Sequence, residues 1–239
     1  MSGVVCWRVM RTYGQFCPVA KAAELFCERW TPLVLRDLAA GATRFSELQR
    51  GVPLMSPSLL SRRLKQLAAE GVVERRPAAQ GWTYHLTPAG AEFVPLIEAL
   101  GTWGQRWSRR ELADEEVDLG LLLWSIERAA RTDAFGHMPS VVRLELTDQP
   151  ESKTLWWFLN EPRRCTLCLS DPGFDVDLYL AATLRDMIRL IRGDLPLDRA
   201  LAGDRLEAHG SAAARRALET WLNLGPLTRI PSQRRSRVA

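Results

Sequence analysis

Between Ser56 and Arg76 the chain reads SPSLLSRRLKQLAAEGVVERR, a stretch whose polar side chains recur at helical spacing. At about 100° per residue, Leu60, Leu64, Leu67 and Ala68 share one face; Ser58, Arg62 and Lys65 cluster opposite, with Gln66 beside them and Ser61 and Arg63 on the flanks. Ser56 followed by Pro57 is a start signal, because the serine hydroxyl accepts from a free amide and proline loses nothing at the first helical position. The bare N–H groups at that end suit a phosphate. In a major groove, arginine and lysine pair with guanine acceptors while serine reaches phosphate or base edges. Arg75 and Arg76, just downstream, would meet the backbone or the minor groove. The competing reading is a solvated polar face, the ordinary fate of surface charges. Against it, acids are nearly absent from Ser56 to Leu67, whereas a solvated face usually mixes signs.

Other reactive side chains form no site at a known spacing. The cysteines are Cys6, Cys17, Cys27, Cys165 and Cys168, an odd number that argues against a disulfide framework. Cys165 and Cys168 make a C-x-x-C, but RRCTLCLSD reads as a strand, on which residues three apart face opposite sides, poor geometry for two ligands of one metal. His85, His137 and His209 have no serine, cysteine or paired carboxylate at a catalytic spacing, and Asp175 and Asp177 beside a turn read as solvated. There is no G-x-S-x-G, no phosphate-binding glycine loop and no H-E-x-x-H. A non-enzyme without metal or cofactor is expected.

The elements that must position the opening stretch are legible around it. CPVAKAAELFCERW puts Val19, Ala22, Ala23, Phe26 and Trp30 at helical spacing. A second helix starts at TPLVLRDLAAG, where Thr31 can cap, Pro32 suits the first turn and Gly41 can end it. RFSELQRG is a short helix with Phe45 and Leu48 inward, and VPLM is a turn. VVERRPAAQGWTYHLT alternates on both sides of a Pro/Gly loop, as a hairpin does. PAGAEFVPLIEALGTWGQRW is a long helix that Pro95 would kink. This is the order of a winged helix-turn-helix, with Ser56–Gly71 in the recognition-helix slot. Residues 1–110 hold fifteen Lys/Arg against eight Asp/Glu, and residues 111–239 seventeen against twenty, so the basic half is the one expected to meet a polyanion. No apolar run approaches the ~18 residues of a membrane span, and the N-terminus lacks a secretion signal, so a cytoplasmic location is expected.

From CPVAKAAELF to YHLTPAGAEFVPLIEALGTWGQRW, roughly residues 10–107, the chain resembles the HxlR-type winged helix-turn-helix transcriptional regulators. The markers are Cys-Pro-Val at Cys17, Arg-Trp-Thr at Arg29–Thr31, Phe45-Ser-Glu-Leu, Ser61-Arg-Arg-Leu and the Tyr84-to-Gly90 segment. The resemblance implies a homodimer, formed by the first helix and the helix after the wing, that reads a pseudo-palindromic operator in double-stranded DNA. It places Ser56, Ser58, Ser61, Arg62, Arg63 and Lys65 in the recognition helix and Arg75 and Arg76 at the wing. It also raises an alternative regulator, since a cysteine at the place of Cys17 senses oxidants or electrophiles in some members. A helix N-terminus favours a thiolate there, while the plain reading of Cys17 is a packing or capping residue. Residues 1–9 read as an upstream extension or a basic arm.

The second half changes style. EVDLGLLLWSIERAARTD reads as a helix; SVVRLELTD, TLWWFLNEP and RRCTLCLSD as strands; Leu180, Leu184, Met187, Ile188 and Ile191 as one helix face. The fold class expected is two domains, a mainly-α winged helix-turn-helix over 10–110 and an α+β antiparallel-sheet domain over 115–228, with a basic tail at 229–239. Over about 118–225 the pattern resembles sterol-carrier-protein-type domains, through a strand ending in Ser-Asp-Pro, a helix ending Arg192-Gly-Asp, and a strand closing at Gly210. That implies a cavity for a hydrophobic small-molecule effector, with Trp124, Trp156, Trp157, Leu184, Ile188 and Trp221 as wall candidates. Of Trp156 and Trp157, one can face inward. The alternatives are a filled core, or a stand-alone lipid carrier that leaves the basic half unexplained.

Overall fold

The structure is a computed structural model that describes residues 12–233; residues 1–9, Cys6 and the tail arginines Arg234, Arg235 and Arg237 lie outside the described residues. The chain divides into two compact units between Leu100 and Gly101.

The first unit contains α1 (Pro18–Phe26), α2 (Thr31–Ala39), α3 (Phe45–Gly51), α4 (Pro57–Ala69), the hairpin β1 (Val73–Pro77) and β2 (Trp82–Leu86), α5 (Pro88–Ala91) and α6 (Val94–Trp103), whose last turn crosses the division. Two expectations are corrected. The first helix stops at Phe26, and Trp30 sits in the following turn at φ 79° as the N-cap of α2, so Thr31 is a buried first residue and not the cap. The long kinked helix is two helices: Pro95 cannot donate to the carbonyl four residues back, so the helix ends and restarts with Pro95 in the first turn of α6. Val34, Leu35, Leu48, Met55, Leu60, Leu64 and Leu67 form the core that fixes α4 against α2 and α3. Gly90 lets α5 close on the sheet, since a Cβ there would fall 2.1 Å from the carbonyl oxygen of Val72.

The second unit contains α7 (Leu119–Ala129), β3 (Ser140–Leu146), β4 (Leu155–Glu161), β5 (Arg164–Cys168), β6 (Leu178–Ala182), α8 (Leu184–Arg192), α9 (Leu197–Ala202), β7 (Leu206–Gly210) and α10 (Ala212–Leu222). The sheet order is β5-β4-β3-β6-β7. The sheet is mixed and not antiparallel throughout, because β3 and β6 pair in parallel. The β3-β4-β5 meander uses up one side, and residues 169–177 carry the chain back to enter beside β3 in β3's own direction. Leu180 lies on β6 and not on the helix that follows; the period changes at Thr183, whose hydroxyl accepts from the amide of Asp186 and caps α8.

Register assigns the faces. Val142, Phe158 and Leu167 lie abreast, as do Leu144, Trp156 and Leu180, and this face joins α7, α8 and α10 in one core. Trp157 lies with Arg143 and Cys168 on the other face, so Trp156 is the inward tryptophan. Cys165 and Cys168 point to opposite faces, and among the described residues no three metal-ligating side chains gather. No helix is long and apolar enough to cross a membrane among the described residues. Burial pushes the Cys165 thiol up to about 12. In the native protein at pH 8, Cys165 is therefore expected to react with iodoacetamide roughly a thousandfold more slowly than a free peptide thiol, because so little is thiolate. Peptide mapping checks this; the exposed Cys27 should label first, and equal native rates would contradict the assignment.

Candidate nucleic-acid interface

The scaffold of the outward face of α4 begins at α3. The Glu47 carboxylate accepts from the amides of Thr43 (2.8 Å) and Arg44 (2.9 Å), satisfying donors at the start of that helix. At its other end the Gln49 side-chain amide donates to the carbonyl of Met55 at 2.6 Å, holding the turn into α4. Ser56 Oγ then accepts from the amide of Leu59 at 3.3 Å and lies 3.2 Å from Ser58 Oγ. This is the predicted capped start.

Along α4, Ser58, Arg62 and Lys65 are exposed, while Ser61 and Gln66 are half-buried. Among the described residues Arg62 and Lys65 make no ion pair. Arg63 departs from expectation. It is 6% exposed and lies on the buried stripe with Leu60, Leu64 and Leu67, where Ala68, expected inward, is exposed. Positions i, i+3, i+4 and i+7 of a helix share a face, and Arg63 is the i+3 of Leu60. Its guanidinium points at the protein, donating to Glu28 and Gln66, so Arg63 is not part of the outward face.

In the wing, Arg75 and Arg76 are both exposed but face opposite sides of the hairpin, since they are adjacent on one strand. The Arg75 guanidinium lies 3.8 Å from the ring centre of Trp82, a cation–π stack that fixes its direction. Arg76 pairs with Glu74 across one intervening residue. Arg44 donates to the carbonyl of Gln80 at 3.2 Å and ties α3 to the loop of the hairpin. Trp82, Arg44 and Glu28 were not singled out from sequence. Trp82 had a signal, being in register with Pro77 and on the hairpin face of Arg75; Glu28 had none, because its partner is distant in the chain.

Cys17 is the residue before α1, half-buried, and its side chain makes no capping hydrogen bond. None of the six wall candidates of the second unit lines the recess described below. Trp124, Leu184, Ile188 and Trp221 are buried in the core, Trp156 is half-buried with its indole N–H donating to the carbonyl of Lys153 at 2.8 Å, and Trp157 is on the far face. Trp221 meets Phe158 edge-on at 5.6 Å. A recess of about 850 Å³ lies elsewhere in this unit, with Leu195, Leu197, Leu201 and Leu218 in its wall and Arg215 and Arg216 at its side. His137 Nε2 lies 2.8 Å from Asp177, which also accepts from the amide of Val141; this pair ties a loop to the start of β3.

Residues 25–112 match the HxlR-like helix-turn-helix family. The HTH-type transcriptional regulator YvaP of Bacillus subtilis is 34% identical over 97 residues, which cover 39% of this chain and 90% of YvaP. An HTH-type transcriptional regulator of Methanothermobacter thermautotrophicus is 32% identical over 108 residues, 42% of this chain and 80% of that protein. Among solved structures, the transcriptional regulator YodB from B. subtilis is 28% identical, with 38% of this chain and 93% of YodB covered and a TM-score of 0.34. With a capped helix in the recognition slot, a hairpin directly after it and a relative covered over nine-tenths of its length, the chain belongs to the HxlR-like helix-turn-helix family of transcriptional regulators.

Proposed function

We propose that the protein is a cytoplasmic homodimer that occupies a pseudo-palindromic operator, each protomer laying α4 in the major groove and the β1–β2 wing along the flanking backbone or minor groove. The observation that carries this reading is the outward face of α4, where Ser58, Arg62 and Lys65 are exposed and the two cations, Arg62 and Lys65, are unopposed by acids among the described residues. The proposed contacts are Ser56, Ser58, Ser61, Arg62 and Lys65 on α4 with Arg75 and Arg76 at the wing. The dimer reading has its own support. Neither α1 nor α6 contains a buried residue, and Val19 (75% exposed), Leu96 (53%) and Leu100 (49%) stand open on them. Apolar helix faces of that kind suit a second copy.

The division of labour is proposed to follow residues 10–110 and 115–228, the second part sensing a hydrophobic small molecule in sterol-carrier fashion. In favour is the open recess, whose size falls in the range of small-molecule sites and whose wall is part leucine and part charged, although the tryptophans do not line it. Effector binding would then shift the population of DNA-competent dimers. A second regulatory reading rests on Cys17, a thiol at a helix start that is not consumed in capping.

The test is an electrophoretic shift with a duplex that the wild-type chain has selected from a randomised pool. One dimer per two-fold-symmetric duplex is expected, and failure to select any sequence removes the operator reading. Running Cys17→Ser beside wild type, with and without peroxide or quinone, separates the two inputs; identical responses remove the thiol sensor.

A further inference from the structure

Arg63 has the composition of a DNA contact and the position of a core residue. Its side chain is 7% exposed; Nη2 donates to Glu28 at 2.5 Å and to the carbonyl of Arg29 at 3.4 Å, and Nη1 donates to Gln66 at 2.7 Å. Glu28 lies in the turn between α1 and α2, a turn closed by the Thr31 amide on the Glu28 carbonyl at 3.0 Å. One guanidinium therefore grips two carboxyl and carbonyl acceptors of the α1–α2 corner and one acceptor on its own helix.

A buried charge is expensive to keep unless paired, and a leucine would fill the stripe between Leu60, Leu64 and Leu67 without that cost. What a leucine lacks is direction. Leucine contacts are non-directional and leave α4 some freedom to rotate about its axis, whereas a planar fork with several fixed donors accepts one orientation. The rotation of α4 decides where Arg62, the residue before Arg63, and Lys65 point.

We propose that Glu28, Arg63 and Gln66 form a positioning latch that sets the rotation of α4, so that Arg63 governs DNA recognition through the helix and not by touching nucleic acid. The inference rests on the reading that α4 meets DNA. Glu28 is 41% exposed, so it can be replaced without opening a cavity.

The experiment uses the full chain and the selected duplex, with Glu28→Ala, Glu28→Gln, Arg63→Met, Arg63→Lys and the Glu28→Ala/Arg63→Met pair. Affinity is measured across a salt series on the selected and on a scrambled duplex, beside thermal melts. Glu28→Ala is expected to lower the selected-to-scrambled ratio about tenfold with the salt slope unchanged, since no phosphate contact is lost. Arg63→Met should do the same, the pair should be no worse than either, and Glu28→Gln, which keeps an acceptor oxygen, should recover most of the ratio. Arg63→Lys, which keeps the charge but not the fork, should fall between, and it serves if Arg63→Met does not fold. The latch is overturned if an Arg63 variant flattens the slope by about 0.9 while Glu28→Ala binds normally, which marks a phosphate contact. It is equally overturned if every variant melts lower yet keeps the ratio. If wild type selects no duplex, the DNA reading fails and the latch with it; if wild type selects one, the variants judge the latch alone.

Discussion

Trp221→Ala is expected to destabilise the second unit by about 3–5 kcal/mol, the range for deleting a large buried aromatic side chain. Trp221 has no exposed surface, and its ring meets Phe158 edge-on, an arrangement that adds to simple burial. Its indole N–H donates to Asn160 Oδ1 at 3.0 Å, and the Asn160 amide donates to the carbonyl of Ser140 at 3.1 Å. Asn160 is itself fully buried, so alanine at 221 leaves both a void and an unpaired acceptor in the core. Trp221→Phe separates the two losses: it refills most of the void but not the hydrogen bond, and should cost about 1–3 kcal/mol. Urea denaturation followed by far-ultraviolet circular dichroism measures both. A loss below about 1 kcal/mol for alanine would mean that Trp221 stands against an opening and not in a packed core. The result therefore tests whether the proposed effector could lodge beside Trp221.

The sequence was most readable where hydrophobic period and turn chemistry acted locally. Ser56-Pro57 announced α4, alternation announced both strands of the wing, and period two placed Trp156 and Trp157 on opposite faces. The departures have two causes: partners distant in sequence, as for Arg63, the parallel strand pair and the recess, and a local cap that ends one period and starts another, as for Leu180. Helical spacing puts Arg63 on the flank and the family resemblance puts it among the contacts, whereas in the structure it joins the buried stripe of Leu60 because its partner Glu28, 35 residues away, draws it inward. Alternation tells which face a strand residue occupies but not which way the strand runs, so the parallel β3–β6 pair was hidden. Leu180 fits the helical face of Leu184 and Ile188 by spacing alone, but Thr183, the cap of α8, breaks the period between them. The recess beside α9 and α10 draws its wall from separate elements and left no contiguous pattern.

Arg62→Ala and Lys65→Ala are expected to fail in different ways, and the difference assigns each side chain to base or phosphate. Arg62 lies nearer the N-terminal end of α4, the part of a recognition helix that reaches base edges, and its fork matches the two acceptors of guanine. Its loss should cost about 1–3 kcal/mol on the selected duplex, roughly ten- to a hundredfold, with little effect on a scrambled one. Lys65 stands one turn further on, and a lysine acts on phosphate as a point charge. Its loss should weaken both duplexes alike and lower the salt slope by about 0.9. Fluorescence anisotropy over a salt series reads both quantities in one experiment. Both residues are exposed, so neither change should unfold the helix. Reversed behaviour would exchange the two roles and imply that α4 enters the groove by its other end. If neither variant changes affinity or slope, the outward face is merely solvated, and DNA binding must reside in the wing, where Arg75, stacked on Trp82, is the cation already held in place.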